Sequence, residues 1–457
     1  MITSSPERFE SHRRDGTWPG LTLHSQLALH ARQRPDVVAV KDQPDREALT
    51  GTAPLALSWA QLDNASANLA ARLLALGVGE DDRVLVQLPN VVELVVAYYA
   101  LSRIGAVVSP APVQYGAHEL QMIAHALHPA LVLTAPRLRE AALADLARAA
   151  LPDVPLAVFG EDLHLDLAPG AETAGPDDPD RVVSICWTSG TTGTPKGVPR
   201  SHNMWFATGS CSAAAGGYVA DDVLLNPFPL VNMAALGGFL FPAAMLGCTL
   251  VLHHPLDPPL FLAQLQDERV TFTIAPPPLL NQLAKAPQLW RQFDFSALRR
   301  VGSGSAPLAP WMVETFSADY GIEVVNFYGS NEGIALFATP ETAPEPQMRA
   351  GLFPRPEPGS AIATRVADPA TGEEVTATGE RGELLISGPT VFDGYYQHDN
   401  RDVFTDDGYF RTGDLVEISG EQGGFYRIVG RCKDIINRGG MKISPCLLYT
   451  SPSPRDS

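Results

Sequence analysis

The chain has 457 residues, 45% of them hydrophobic, and carries 33 basic against 51 acidic side chains for a formal net charge of −18. That length exceeds what one hydrophobic core usually supports, so at least two packed subdomains are expected. The acidic balance speaks against nucleic acid or an anionic membrane surface as the main partner and leaves any phosphate ligand to be held by local groups.

Residues 1–16 are polar and mixed in charge, without the apolar run of a signal peptide. From 21 to 34 apolar residues recur at helical spacing, and 38–40 reads as a strand. Ser58 is placed to cap a second helix, whose Ala/Leu-rich body runs to Leu76 and closes at Gly77. Residues 83–88 read as a strand, 91–104 as a helix ended by Gly105, and 107–108 as the start of the next strand. The order recurs at 118–127 (helix) and 130–133 (strand), and such alternation predicts an α/β fold of mainly parallel sheets covered by helices. Residues 160–180 are acidic, Pro/Gly-rich and aperiodic, as a surface connection would be.

The apolar run 182–187 leads into residues 188–198, TSGTTGTPKGV. Hydroxyls at Ser189, Thr191 and Thr192, backbone made approachable by Gly190 and Gly193, and one cation at Lys196 are the parts a polyphosphate needs. The spacing is not that of the Walker loop, where Lys follows Gly directly; here Thr194 and Pro195 intervene. A plain Gly/Thr turn between two strands is the bland alternative. Residues 234–252 lack charge and match a membrane span in length. Gly237, Gly238, Pro242 and Gly247 interrupt them, so a buried helix followed by a buried strand at 248–252 is the better reading.

Helices near 259–268 and 278–286 alternate with strands at 271–274 and 301–302. From 361 onward, short strands at 363–366, 382–387, 408–410, 415–418 and 424–429 predict a smaller β-rich subdomain. Small residues at 302–306, among them Gly304, Ser305 and Ala306, would let a flat ring lie against backbone, with Tyr328 as a stacking platform. Glu332 suits Mg²⁺, a hard cation that takes oxygen ligands shared with phosphates. A strand-end turn, a core tyrosine and a solvated acid would give the same bare patterns. The five cysteines, at 186, 211, 248, 432 and 446, form no C-x-x-C pair or zinc spacing, which fits a reduced, cytoplasmic setting.

Residues 189–198 resemble the signature loop of the adenylate-forming superfamily, which includes acyl-CoA synthetases, aryl-acid ligases, luciferases and peptide-synthetase adenylation domains. There the loop clamps the β- and γ-phosphates of ATP. Tyr328-Gly329-x-x-Glu332 resembles the family's Y-G-x-T-E motif and 303–308 its adenine-wall motif, both downstream of the loop as in the family. Residues 408–415 resemble its Y-x-T-G-D, which implies that Asp414 accepts hydrogen bonds from both ribose hydroxyls, a carboxylate presenting two acceptors side by side. Residues 430–436 resemble its hinge motif, which implies that Arg431 reaches the ribose and that Lys433 sits at a pivot.

Two departures stand out. Asn331 occupies the place of a common Thr whose hydroxyl contacts the adenylate phosphate, so a retained contact with altered geometry is expected. Ser305 stands where Gly is common. Residues 228–233 resemble the segment where many acyl-CoA synthetases carry His and aryl-acid ligases His-Asn; here Asn232 is present and the His is not. Asn232 reads either as a partner for a polar aryl acid or as a helix N-cap, the cap being favoured. Met233, Ala235, Leu236 and Phe239 imply an acid with a largely apolar body.

The resemblance implies an N-terminal domain over 1–430 containing the β-rich subdomain 361–430, then a hinge and the start of a C-terminal domain over 431–445. The family continues there for about a hundred residues. Residues 446–457 are Ser/Pro-rich, cannot form a packed domain and read as a non-native tail. The implied activity is attack of a carboxylate on the α-phosphate of Mg·ATP, departure of pyrophosphate, and transfer of the acyl group from the adenylate to a thiol, with CoA favoured. Pyrophosphate would fall to Ser189, Thr191, Thr192 and Lys196, Mg²⁺ to Glu332, adenine to Tyr328 and 304–306, and ribose to Asp414 and Arg431. Thr191, Lys196 and Glu332 form the expected catalytic set, acting by positioning and charge neutralisation. The alternatives are an aryl-acid ligase that loads a carrier protein, a nucleotide-binding fragment without turnover, and a P-loop NTPase.

Overall fold

A computed structural model describes residues 1–170, 175–188, 195–432, 436–438 and 441–443. Two helix-covered sheets form its larger part. The six-stranded sheet has the order Leu156–Val158, Leu131–Thr134, Arg83–Gln87, Val107–Pro110, Val182–Thr188 and Lys196–Ser201, parallel except for the last pair. In the eight-stranded sheet, Glu323–Ser330, Arg300–Gly304, Phe272–Ile274, Val223–Asn226, Thr249–Leu252 and Val38–Lys41 run parallel. Gly333–Ala338 and Ala56–Ser58 flank them as antiparallel edges.

The alternation in the sequence produces this arrangement because each parallel strand needs a crossover, and the crossovers are the helices. Ser58 opens Trp59–Ala75 with a capping box closed by Gln61, and Thr22 does the same for Leu23–Gln33 with Ser25. One cluster of buried side chains joins both sheets through Trp59–Ala75, Val92–Arg103, His202–Gly216 and Phe241–Leu246. His202–Gly216 is buried on twelve of its fifteen positions, so it lacks the polar face by which a surface helix is read from sequence.

The uncharged stretch 234–252 becomes a π-turn at Leu236–Leu240, a helix at Phe241–Leu246 closed by Gly247 at φ 78°, and an interior strand. Among the described residues, no helix is long and apolar enough to cross a membrane.

A third, antiparallel sheet has the order Phe353–Pro354, Phe425–Arg431, Phe410–Ser419, Arg381–Ser387 and Ala363–Ala367. The two short strands expected at 408–410 and 415–418 are one strand. Arg411 and Leu415 face Leu385 and Glu383, which leaves extra residues bulged outward around Gly413 at φ 71°. The residues between the two expected strands are thus a bulge inside one strand.

The N-terminal helix Pro6–Arg14, capped by Ser5, is fastened to the segment that precedes residue 394. Arg8 bonds to Asp393 and to the carbonyls of Gly388 and Val391, and Trp18 donates its indole N–H to the Pro389 carbonyl at 3.0 Å.

Candidate active site

Three strand features converge. Thr188 pairs with Lys196 across an antiparallel pair of strands, and Lys196 is the first residue of the return strand. Ser189, Gly190, Thr191, Thr192 and Gly193 lie outside the described residues, as does Lys433. The second hairpin joins Glu323–Ser330 to Gly333–Ala338, with Ser330 opposite Gly333, so Asn331 and Glu332 alone form the turn. The third feature is the bulge of the Phe410–Ser419 strand. There Asp414 N donates to Thr412 Oγ1 at 3.0 Å and Gly413 N to Glu383 Oε1 at 3.0 Å.

Asn331 staples the first two hairpins. Its Nδ2 donates to the Trp187 carbonyl at 3.3 Å, and its Oδ1 accepts from Met233 N at 2.8 Å. The fully buried Arg200 supports the same turn, donating to the carbonyls of Asn331 (3.0 Å), Thr390 (2.7 Å) and Met204 (3.2 Å) and to Thr208 Oγ1 (2.8 Å). Its guanidinium lies 4.5 Å from the Trp205 ring. Burial pushes its pKa down to about 9, the expected direction for a cation that meets carbonyls rather than a carboxylate.

Two clusters carry the site's charge. The Lys196 ammonium stands 4.6 Å from the centre of the Tyr395 ring, and the Tyr395 hydroxyl donates to Glu332 Oε1 at 2.8 Å. One phenol thus joins a cation to a carboxylate that is only 8% exposed. Beside them, Asp414 accepts from the Tyr328 hydroxyl on Oδ2 at 2.7 Å and from Arg431 Nε on Oδ1 at 2.8 Å. Asp414 and Arg431 face each other across neighbouring strands. Burial, then the Asp414 charge, raises the Tyr328 pKa well above its ordinary value, so the phenol stays a donor.

The small residues at 302–306 answer first to packing. A Cβ on Gly302 would lie 2.8 Å from Ile274 and 2.9 Å from Phe327, and one on Gly304 only 2.3 Å from the Phe327 carbonyl. Ser305 and Ala306 are exposed where this strand ends. Ser305 sits at φ 65°, a left-handed conformation that glycine adopts without strain.

Asn232 is a cap, its side chain accepting from Ala235 N at 3.3 Å. Ala235, Leu236 and Phe239 have no exposure and belong to the main core, whereas Met233 is partly accessible. The sequence missed Tyr395 and Arg200. Neither stands in a pattern with a chemical meaning of its own, and only their contacts mark them.

Among the described residues, no group of three or more His, Cys, Asp or Glu could hold a metal ion. Glu332 offers one carboxylate beside a lysine, the donor set that suits Mg²⁺ when phosphates complete its shell. A cleft of about 600 Å³, lined by Cys211, Arg300, Phe337 and Arg355 among others, contains none of these residues. Arg300 and Gly304 are opposite ends of one strand, and the predicted site gathers at the carboxyl end, where open α/β sheets bind their ligands.

The family of AMP-binding enzymes matches residues 36–396. The chain belongs to that family. Salicyl-AMP ligase / salicyl-S-ArCP synthetase of Mycobacterium tuberculosis is 32% identical over 470 residues, 96% of this chain and 78% of that protein. Feruloyl-CoA synthase of an Amycolatopsis species is 31% identical over 436 residues, 94% and 81% of the two chains. The apo structure of MbtA from Mycobacterium smegmatis superposes with a TM-score of 0.81 at 30% identity, covering 99% of this chain and 84% of that one. As a member of the AMP-binding family, the protein is an AMP-forming acid–thiol ligase: ATP adenylates a carboxylic acid, and the acyl group passes to a thiol.

Proposed function

We propose that the acid is aromatic or otherwise largely apolar, that CoA is the thiol, and that Mg·ATP is bound across the two charge clusters. The observation that carries this reading is the meeting of Lys196 and Glu332 on one phenol. A magnesium polyphosphate needs a cation and a hard carboxylate at one point. In this reading Lys196 and the loop residues Ser189, Gly190, Thr191, Thr192 and Gly193 take the departing pyrophosphate, and Glu332 holds Mg²⁺, which would neutralise phosphate charge when bound.

Asp414, with lone pairs beyond those used by Tyr328 and Arg431, takes the ribose diol. The adenine lies along Gly304, Ser305 and Ala306 beside Tyr328. Asn331, through the second N–H of its amide, faces the α-phosphate, while its other contacts fix Met233 at the mouth of the acid pocket. Lys433 serves as hinge between residues 1–430 and a following domain. The carboxylate attacks the α-phosphorus, the bond to the bridging oxygen breaks, and pyrophosphate leaves with that electron pair. Catalysis is then positioning and charge neutralisation.

A carrier protein as acceptor is the second reading, favoured by the printed activity of the salicyl-S-ArCP relative. A cytoplasmic setting without nucleic-acid partners is supported by the net charge of −18 and by buried thiols at Cys186 and Cys248, which burial pushes up to about 12.

The full chain, incubated with ATP, Mg²⁺, hydroxylamine and a panel of aryl and fatty acids, should give hydroxamate and pyrophosphate. Lys196→Ala should lower the rate about a hundredfold or more, the loss typical of removing a group that stabilises transition-state charge. ATP binding without product for any acid would show a binding fragment instead, and release of ADP would overturn the adenylation reading.

A further inference from the structure

Tyr395 lies outside the motifs described above, yet it touches both charged groups of the inner cluster. Its placement is over-determined. Its backbone N–H donates to Asn400 Oδ1 at 2.8 Å, and its carbonyl accepts from Asn400 Nδ2 at 3.1 Å. The ring meets Phe392 edge-on, centres 4.9 Å apart. Gly394, at φ 131°, lets the Asn400 side chain sit 2.8 Å from where a Cβ would be. The next residue, Tyr396, donates its N–H to the Gly197 carbonyl at 2.8 Å, which ties the segment to the strand that carries Lys196.

A glutamate at the end of a two-carbon stem has a terminal torsion that is broad and roughly two-fold. A donor fixed to one carboxylate oxygen removes that freedom and turns the other oxygen in a set direction. Hydrogen bonds of this kind orient carboxylates that ligate metals.

We infer that Tyr395 is a positioning residue for the divalent cation: its hydroxyl fixes the Glu332 carboxylate in the orientation that Mg·ATP requires. The inference rests on the reading of Glu332 given above, and the test separates the two. A fluorescent ATP analogue is titrated into the full chain at a series of Mg²⁺ concentrations, and again in EDTA. Tyr395→Phe keeps the ring over Lys196 and removes only the hydroxyl. It should raise the half-saturating Mg²⁺ about tenfold, the lower end of what losing a ligand-orienting partner costs, while leaving affinity in EDTA within about twofold.

Glu332→Gln is the control. If it raises the Mg²⁺ requirement and Tyr395→Phe does not, the inference on Tyr395 is overturned and the reading of Glu332 stands. If Glu332→Gln changes nothing, that reading falls and takes the inference with it. Should Tyr395→Phe fold poorly, Asn400→Ala frees the Tyr395 backbone but keeps the hydroxyl. A rise of about threefold is expected there, smaller because the link is indirect, and an unchanged requirement would again overturn the inference.

Discussion

Ser305 shows how one residue can carry a cost that the sequence only hints at. Its φ of 65° places a side chain where L-residues are strained by about 1 kcal/mol or more. No neighbour compensates by burial, since the residue is exposed. Ser305→Gly should therefore raise stability by about 0.5–1 kcal/mol, less than the full strain because glycine also loosens the unfolded chain; a urea midpoint that stays put or falls would contradict it. The sequence marked this position because glycine is common there in the family. What it could not supply was the backbone angle. Asn331 was legible in the same partial way. Its amide chemistry was evident, but its bonds to Met233 and Trp187 join positions 98 and 144 residues apart, beyond any local pattern.

Among the elements, those with a surface face were legible and those without one were not. Trp59–Ala75 announces itself through Ser58, an apolar stripe and Gly77, whereas His202–Gly216 is buried on nearly every side and shows no period. Its neighbour Arg200 locks that helix to the Asn331–Glu332 turn and to Thr390. Replacing Arg200 with Met would keep the bulk and remove every donor, leaving buried carbonyls unpaired. The expected loss is about 2–4 kcal/mol, measured by equilibrium denaturation, together with weaker ATP binding. A loss below about 1 kcal/mol would mean that water or a shift of the turn replaces the guanidinium. The strand Phe410–Ser419 reads as two short strands in the sequence, and only its pairing with Arg381–Ser387 shows the bulge that adjoins Asp414.

At the scale of the molecule, several half-buried or fully buried histidines set the response to acid. Burial lowers His12, His24 and His254 from the ordinary 6.5 to about 4, and it holds His202 well below 6.5. His24 keeps this direction although Asp177 stands beside it. The unfolded chain therefore binds more protons below pH 6.5, and the stability these groups contribute is complete above that value and lost as pH falls toward 4. The melting temperature should be nearly flat above neutrality and drop by many degrees between pH 6.5 and 4; a flat profile through that window would show that these rings are not held neutral. A different consequence follows from the fastening of Pro6–Arg14 beneath residues 388–393. Arg8 and its carboxylate partner are 385 positions apart, so on the ribosome this helix waits for its seat while the residues between them are made. It buries no residue of its own, and that polarity lets it remain in water without seeking a wrong partner. A helix made this far ahead of its seat thus docks late, only after residues 388–393 have been added to the chain.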